Sequence, residues 1–431
     1  MSPELIGLMG IIALFILMFL NIPIGFVMML VGTVGYGIII GPTAAFGKLG
    51  TDLFNNAHNY GLSVIPMFTL MGMLLGHTGL GKDLFQGFNA WMGHIRGGLS
   101  IATIATCAAF AAVSGSVIAT TATIANVAVP EMRAANYDDR LSSGCVASGS
   151  TLGILIPPSS VLIIYGLLTE ESIGQLLVGG VLPGLMTAFL LAITCYILVI
   201  WKPELAPGTT RTTWKEKFSS IKLIWPVPTI FILSIGGMFA GIFTPTEGGA
   251  IGAFVALLVS IAGRRFTFKG FYEALLGTVK IVSMLMILLV GGVTFGNFLS
   301  VTKIPQFIIT YFIDLPPLVL MTAIFVCYFV AGFFMDAMAI LVIFTPMFYP
   351  LIIKAGYSGI WYGEITILML LIGFLTPPVG IVAIITSGIT KIRLETVFRG
   401  VIPFWIALAV STFLLIFFPQ IATVLPSMMA K

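Results

Sequence analysis

Charged residues are scarce in this chain. Only 8 % of its 431 residues are Asp, Glu, Lys or Arg, whereas a soluble domain carries about 25 %. This shortage excludes an ordinary soluble enzyme. The formal net charge of +4 is also too small and too scattered to indicate nucleic acid as a partner.

Cysteine and histidine are rare as well. The three histidines show no HExxH-like spacing, so the sequence gives no support to metal catalysis. No Lys or Arg occurs within residues 1 to 10, so a cleaved signal peptide is not expected. We expect the four cysteines to be small buried side chains, because they lie within apolar stretches and lack metal-ligand spacing: Cys107, Cys145, Cys195 and Cys327.

Apolar sequence dominates instead. Hydrophobic residues make up 58 % of the chain and the mean hydropathy is +1.12. The apolar residues fall in blocks of roughly 20, the length that crosses about 30 Å of hydrocarbon as a helix. We therefore predict an all-α polytopic membrane protein with spans at about 5 to 22, 24 to 40, 63 to 80, 142 to 168, 176 to 201, 223 to 243, 246 to 263, 281 to 302, 364 to 389 and 400 to 425.

Two further apolar stretches, 98 to 129 and 318 to 349, are too long for one span and too short for two. Each is interrupted at its centre, the first by Ser114-Gly115-Ser116 and the second between Gly332 and Asp336. A helix of about 10 residues reaches only the bilayer midplane. Both stretches are therefore predicted to form re-entrant hairpins.

The positive charges orient the predicted spans. With the N-terminus outside, only Lys48, Lys303, Lys354 and Lys431 face outward, and the other 16 Lys and Arg face inward. The first hairpin then opens inward and the second outward. We expect a periplasmic N-terminus and a cytoplasmic linker at 202 to 222.

An internal repeat accompanies these opposite orientations. We interpret the chain as two copies, 1 to 201 and 223 to 431, each with five spans and a hairpin. Because five is odd, the second copy is inverted, which is the architecture of secondary transporters. One constant shift along the chain, without a gap, aligns Pro130 with Pro350, Gly153 with Gly373, Pro157-Pro158 with Pro377-Pro378, and Gly180 with Gly400.

Two polar-rich connectors precede the third span of each copy, at 41 to 61 and 264 to 280. Both mix charged residues with aromatic or aliphatic ones. We predict interfacial helices that lie along the membrane surface. Simple loops are the alternative.

The two proline pairs lie within predicted spans, where two missing N–H donors must unwind the helix. Unwound carbonyls and nearby hydroxyls suit a hard cation such as Na⁺. A plain kink is the other interpretation. At the first hairpin tip, Ser114 and Ser116 are candidate ligands, although a serine in a membrane helix often bonds to its own backbone.

Two carboxylates are candidate substrate or coupling groups. Asp336 is the only acid between Leu315 and Pro350, and an intramembrane acid is a functional hypothesis by default, unless neighbouring helix N-termini satisfy it. Glu247 follows Thr244-Pro245 at the spacing of a capping box. Glu247 is predicted to cap its helix and additionally to face a substrate path.

The stretch from Gly144 through Pro157-Pro158 to Gly166, together with Gly241-Ile-Phe-Thr-Pro-Thr-Glu247, resembles the large membrane subunit of tripartite ATP-independent periplasmic (TRAP) transporters. The resemblance covers the whole chain. It implies an elevator-type importer in the bacterial inner membrane, coupled to two or more Na⁺ ions. It also implies a small four-helix membrane subunit, a periplasmic binding protein, and an organic acid such as sialic acid or a C4-dicarboxylate.

The resemblance also implies two Na⁺ sites and a substrate path. In the second half, Phe334 and Asp336 replace the two tip serines, so the sites differ chemically. Ser114, Ser159, Ser160, Asp336 and Glu247 are the candidate substrate contacts. The first Na⁺ site would use Ser114, Ser116, Gly153, Ile156 and Pro157, and the second Gly332, Gly373, Thr376 and Pro377.

Two kinds of alternative compete with this interpretation, first a stand-alone symporter and second a channel or intramembrane enzyme. A stand-alone Na⁺/dicarboxylate symporter of related architecture would need no partner subunits. A channel requires a continuous polar path, which the apolar spans do not show. An intramembrane protease requires a Ser/His or paired-Asp constellation at membrane depth, and none is visible in the sequence.

Overall fold

The computed structural model describes residues 2–20, 22–76, 78–208, 212–312, 314–332, 335, 337–377 and 380–429. Within these ranges the regular structure is entirely helical, which confirms the expected fold class. Asp336 and Phe334 of the second hairpin tip, Pro378 of the second proline pair, and Lys431 lie outside the described residues.

Residues up to the end of the linker form twelve α-helices. A 3-10 turn at Tyr60–Ser63 precedes α4, and another at Thr151–Ile154 follows α8. The helices are α1 Pro3–Phe19, α2 Ile24–Ile40, α3 Pro42–Ala57, α4 Val64–Gly76, α5 Leu80–Met92, α6 Gly98–Ser114, α7 Val117–Ala134, α8 Asp139–Ser150, α9 Ser160–Thr169, α10 Ile173–Gly179, α11 Val181–Trp201 and α12 Trp214–Ile224.

The remainder of the described chain contains eleven α-helices. A π-helical stretch at Ile232–Gly236 joins the first two of them. The helices are α13 Pro226–Phe231, α14 Gly237–Phe239, α15 Pro245–Ala262, α16 Phe268–Thr302, α17 Ile304–Phe312, α18 Pro317–Gly332, α19 Ala337–Lys354, α20 Gly359–Leu375, α21 Ile381–Thr390, α22 Leu394–Phe417 and α23 Gln420–Met428.

Few of these helices are long enough to cross a membrane unbroken. Six helical stretches of at least 18 residues qualify in the described ranges, or seven if α3 and the bent segment after it count as one span. Five of the ten predicted spans are made of shorter helices, because α1 and α2 have 17 residues each, α4 has 13, and two spans are interrupted. The last predicted span also ends early, at Phe417, since Pro419 follows it.

Both stretches predicted as hairpins consist of two helices joined at a short break. Helix α6 ends at Ser114 and α7 begins at Val117, while α18 ends at Gly332 and α19 begins at Ala337. The arms have 16 to 18 residues, more than the ten expected for half a bilayer. The second arm of each extends beyond its predicted end to a charged terminus, at Arg133 and Lys354.

The helix boundaries follow the shift that aligns the two halves. Helix α19 begins and ends at the positions that match the two ends of α7, and α20 begins at the position that matches the start of α8. The contacts between helices follow the same shift, because each helix pair has a counterpart made of the two matching helices. Helix α2 packs along α16 while α15 packs along α4, and α7 packs against α21 while α19 packs against α9. This pairing supports the internal repeat.

The two polar connectors differ in structure. Helix α3 is separate and is followed by a 50° bend, and Asp52 fixes it to α16 by accepting from Asn297 Nδ2 at 2.8 Å. Residues 268 to 280, predicted as a second interfacial helix, instead continue into the 35-residue α16. Asn59 caps the 3-10 turn that follows α3 and Pro66 lies in the first turn of α4, whereas the matching positions, Val279 and Met286, carry no helix breaker.

Glycines let α2 and α16 approach closely. A Cβ added at Gly25 would lie 2.8 Å from the carbonyl oxygen of Ile287, and one at Gly291 would collide with the carbonyl oxygen of Gly25. Small residues at helix crossings are the main device for tight packing in membranes. This pair of helices therefore depends on residues that have no side chain.

We expect Gly291→Ala to destabilise the protein by about 1–3 kcal/mol, the usual cost of overpacking. Gly50→Ala on α3 is the matched control, because a Cβ there meets no atom within 4 Å. In that open position Ala gains about 0.5–1 kcal/mol of helix propensity. Thermal unfolding midpoints of the purified protein measure both. Equal midpoints for the two variants would contradict the tight crossing.

Candidate functional site

The tip of the first hairpin is a sharp chain reversal. Gly115 adopts a left-handed backbone conformation with φ of +58°. Ser116 caps α7, and its hydroxyl accepts the N–H of Ala119 at 3.3 Å. A Cβ at Gly115 would collide with the carbonyl oxygen of Pro158. Glycine is therefore required at the tip for both its backbone angles and its close approach to the proline pair.

Hydroxyl groups cluster at this tip. The Ser114 and Thr120 hydroxyl oxygens are 3.0 Å apart, and the Thr120 hydroxyl donates to the carbonyl of Ser116 at 2.8 Å. Because Thr120 has one proton to donate, Ser114 is the donor in their shared bond. The lone pairs of the Ser114 and Ser116 oxygens are acceptors of the type that a hard cation prefers.

The first proline pair unwinds its helix as predicted from the missing N–H donors. Helix α8 passes into the 3-10 turn that ends at Ile154, and regular helix resumes only at Ser160. Gly153 lies against the hairpin tip, where an added Cβ would be 2.8 Å from the Ser116 carbonyl oxygen. The structure thus brings Ser114, Ser116 and Gly153 together.

Ile156 and Pro157 follow in the same unwound segment. The N–H of Ile156 donates to Leu152 at 2.9 Å, and the Ile156 side chain borders an apolar crevice beside α11. Pro157 has no N–H to contribute to the helix ladder. The carbonyls of these two residues therefore lie in the segment predicted to supply cation ligands.

The two serines after the proline pair have different roles. The hydroxyl of Ser159 donates to the carbonyl of Ile154 at 2.5 Å and accepts the N–H of Leu162 at 3.2 Å. Ser159 is completely buried and bridges the break. Ser160 instead lines a cavity between the hairpin tip and helix α4, called the tip cavity below. Its hydroxyl is 3.5 Å from the carbonyl oxygen of Gly115. Of these two serines, only Ser160 lines that cavity.

A cavity of about 90 Å³ separates the tip from helix α4. Since a water molecule occupies about 30 Å³ of liquid, this space accommodates roughly three waters. A molecule the size of an organic acid needs more room than this. The cavity is lined by the tip residues 114 to 116, by Ala119, Pro158, Ser160 and Ile163, by Ile65, Phe68, Thr69, Gly72 and Met73 of α4, and by Ile281 of α16.

All four residues of the second predicted Na⁺ site lie within the described ranges. The backbones of Gly332 and Gly373 are in contact, since a Cβ added at Gly332 would lie 2.8 Å from Cα of Gly373. Thr376 donates its hydroxyl proton to Ile372 at 2.6 Å and accepts the indole N–H of Trp405 at 3.1 Å. Thr376 and Pro377 border an open, mainly apolar groove of about 680 Å³.

Glu247 forms the capping box that the sequence indicated. Its carboxylate accepts the N–H of Thr244 at 2.8 Å and the Thr244 hydroxyl at 2.9 Å. It does not line the tip cavity. Two residues from it, Gly249 packs against Phe68, which does line that cavity. The geometry therefore accounts for Glu247 as a helix cap.

Sequence reasoning misses two polar contacts of these sites. Thr120 lies outside the Ser-Gly-Ser triplet, although a hydroxyl four residues after Ser116 shares its helix face and could have been found by that spacing. Trp405 gives no such signal, because its partner, Thr376, lies 29 residues away. In the described part of the chain no three His, Cys, Asp or Glu side chains converge.

Sequence comparison identifies close relatives. The chain matches the family described as "Tripartite ATP-independent periplasmic transporter, DctM component" over residues 11–421. It is 34 % identical to the C4-dicarboxylate TRAP transporter large permease protein DctM of Pseudomonas aeruginosa, over 88 % of this chain and 89 % of that protein. It is 30 % identical to the sialic acid TRAP transporter large permease protein SiaM of Vibrio cholerae, over 96 % of each.

Structural comparison agrees with this result at the level of the fold. The YdaH transporter of Alcanivorax borkumensis superimposes with a TM-score of 0.61 at 14 % sequence identity, over 88 % of this chain and 89 % of that one. The resemblance inferred from the proline pair and the Gly241 to Glu247 motif is confirmed. The protein is a multi-pass membrane transport protein, not an enzyme, and it belongs to the DctM family of tripartite ATP-independent periplasmic transporters.

Proposed function

We propose that this chain is the permease of a Na⁺-coupled importer of an organic acid. The observation that supports Na⁺ coupling is the contact between the Ser114–Ser116 tip and the unwound segment after Gly153. It assembles hydroxyl and carbonyl oxygens without a formal charge, which suits a monovalent cation. The first Na⁺ ion would be held there, by Ser114 and Ser116 with carbonyls of the unwound segment.

The substrate is proposed only as a class. The two relatives are named for a C4-dicarboxylate and for sialic acid, which share a carboxylate and little else. Ser160 and Thr69 face the tip cavity from opposite sides, and their hydroxyls can donate to a carboxylate. An organic acid would enter by widening this cavity, with Na⁺ nearby to offset its charge. Asp336 remains a proposed contact.

A second Na⁺ ion is proposed at Gly332, Gly373, Thr376 and Pro377. The supporting feature is the close backbone contact of Gly332 and Gly373 beside the second proline pair. The hydroxyl oxygen of Thr376 already accepts from Trp405, so backbone carbonyls would supply most of its ligands. The two sites would therefore differ in their affinity for Na⁺.

The partners and location follow from the family. Members of tripartite systems work with a small membrane subunit and a periplasmic binding protein, and we propose both for this chain. We further propose that it resides in the bacterial inner membrane with its N-terminus in the periplasm, as the positive-inside asymmetry indicates.

Transport would proceed by an elevator movement. We propose that α6 to α9 and α18 to α21 move as one unit, because the second arm of each hairpin packs on the broken helix of the opposite half. The rest of the chain would form the scaffold, including the α2–α16 and α4–α15 pairs. Alternating access then requires the tip to slide past α4.

The Na⁺ assignment predicts a specific defect. Ser114→Ala and Ser116→Ala should each raise the Na⁺ concentration for half-maximal uptake by about tenfold, equivalent to about 1.4 kcal/mol of ligand binding. Uptake is measured in proteoliposomes that contain all three components. Ser260→Ala is the control, since this buried hydroxyl bonds only to its own helix, at Ala256. Unchanged Na⁺ dependence in both tip variants would refute the site.

The partner assignment predicts strict dependence on the other components. Uptake should be lost when either the small membrane subunit or the soluble binding protein is omitted from the proteoliposomes, because the permease receives its substrate from the binding protein. Full uptake by this chain alone would contradict the tripartite assignment and favour a stand-alone symporter.

The elevator predicts which distances change. A spin-label pair at Ile118 and Ile384, on two helices of the moving unit, should keep one separation. A pair at Ile118 and Leu30, which joins the unit to the scaffold, should show two separations in inward- and outward-biased conditions. All three positions are exposed, and the exposed Cys327 is replaced first. A fixed Ile118 to Leu30 distance during active transport would leave local gating as the mechanism.

A further inference from the structure

One carboxylate in the protein interior lacks any compensation. Glu364 on α20 is completely buried. Neither of its oxygens has a hydrogen-bond partner in the described ranges, and no Lys, Arg or His there forms an ion pair with it. Removing an ionised carboxylate from water costs several kcal/mol unless a positive charge or hydrogen bonds replace the solvent. The group therefore requires a bound cation or proton.

Two carbonyl oxygens lie near this carboxylate, beside the glycines that join α10 to α11. A Cβ at Gly179 would be 3.4 Å from Oε1 of Glu364 and 3.1 Å from the Ala422 carbonyl oxygen. A Cβ at Gly180 would be 3.3 Å from Oε2 of Glu364 and 2.7 Å from the Leu155 carbonyl oxygen. Each glycine thus brings one carboxylate oxygen and one carbonyl oxygen close together, because neither glycine has a side chain between them.

The Leu155 carbonyl ties this location to the transport machinery. Leu155 belongs to the unwound segment between the 3-10 turn ending at Ile154 and the helix beginning at Ser160. The same segment contacts the first hairpin tip through Pro158 and Gly115. A ligand bound at Glu364 would therefore touch the other side of the broken helix that meets the tip cavity.

The other half of the protein shows that packing does not require a carboxylate here. In the alignment of the two halves, Gly144 matches Glu364 and Gly400 matches Gly180. A Cβ at Gly144 would collide with the Gly400 carbonyl oxygen. The crossing of α8 with α22 is thus made by two bare backbones, whereas its counterpart, the crossing of α20 with the α10–α11 junction, contains an acid.

Few other titratable groups surround Glu364. The helices α10, α21 and α23 and the 3-10 turn before Leu155 carry none, and those of α22, Glu395 and Arg399, are exposed at its first turns. The nearest on α9 is Tyr165, whose hydroxyl donates to the Gly359 carbonyl at 2.7 Å. The remainder are Tyr328 and the exposed Cys327 of α18, Tyr349 and the exposed Lys354 of α19, Tyr362 of α20 itself, and Glu171, which accepts from Tyr349 at 2.7 Å.

We propose that Glu364, with the carbonyls of Leu155 and Ala422, forms a further cation-binding site whose ligand is a proton or Na⁺. The site is separate from both Na⁺ sites proposed above. It deepens the proposed function, on which it rests, by adding a third coupling cation. Binding would neutralise the carboxylate at the crossing of α20 with the α10–α11 junction, and release would leave an uncompensated charge there.

Infrared difference spectroscopy of the purified full chain tests this site without transport. Spectra of wild type minus Glu364→Gln are compared across pH and with Na⁺ exchanged for choline. A protonated carboxyl band that disappears at high pH and ignores Na⁺ identifies a proton. Carboxylate bands that shift with Na⁺ identify the metal ion. A band that responds to neither overturns the proposal. Glu216→Gln, an exposed helix-capping residue, is the control.

A transport measurement provides the second test. Glu364→Gln should lower the number of cations that accompany each substrate by one, seen as a smaller charge movement per substrate in proteoliposomes. If that variant fails to fold, Glu364→Gly replaces it, because glycine fills the matching position at 144. Unaltered stoichiometry overturns the proposal. If Ser116→Ala leaves the Na⁺ dependence of uptake unchanged while the infrared bands of Glu364 still respond to pH or Na⁺, only the first Na⁺ site is refuted.

Discussion

A break in a membrane helix leaves backbone groups that lipid cannot satisfy, and much of this structure serves to cover such breaks. The unwound segment after Ile154 meets the reversal at Gly115, so each interruption is covered by the other. Ser159 completes the cover by bonding across the proline pair to Ile154. Polar backbone is thereby concentrated in one place and kept from hydrocarbon.

The same arrangement produces the site. Once two interruptions face each other, their carbonyls and the hydroxyls of Ser114, Ser116 and Thr120 share a small enclosed volume. The glycines at 72, 115 and 153 allow these segments to approach closely, because any side chain at these positions would meet backbone atoms within 3 Å. The residues that cover the two breaks are therefore the same residues that are proposed to bind the first Na⁺ ion.

Duplication supplied the framework, and divergence gave its halves different chemistry. Helix α19 keeps the boundaries of α7, and the two broken helices keep their proline pairs. Yet the chain bends at Asn59 after α3, whereas α16 continues without a break through the matching position, and an acid at 364 replaces the glycine at 144. The backbone plan is shared, whereas polar side chains are particular to each half.

Local features of the sequence were sufficient for much of the fold. Apolar length, the proline pairs, the Ser-Gly-Ser reversal and the capping box at Thr244 each act within a few residues, and the structure has the helices and breaks that they predict. The continuous α16 was not predicted. The polar composition of residues 264 to 280 suggested a separate interfacial helix, but no helix breaker separates these residues from the apolar part of α16.

The sequence by itself determined that this protein is a helical membrane transporter with interrupted helices and a polar hairpin tip, since hydropathy and backbone donors are local properties. Only the tertiary structure decided which of Ser159 and Ser160 faces the cavity, that Thr376 bonds to Trp405, and that Glu364 is buried without a partner. These outcomes depend on contacts between residues distant in the chain, and burial is a property of the packed whole.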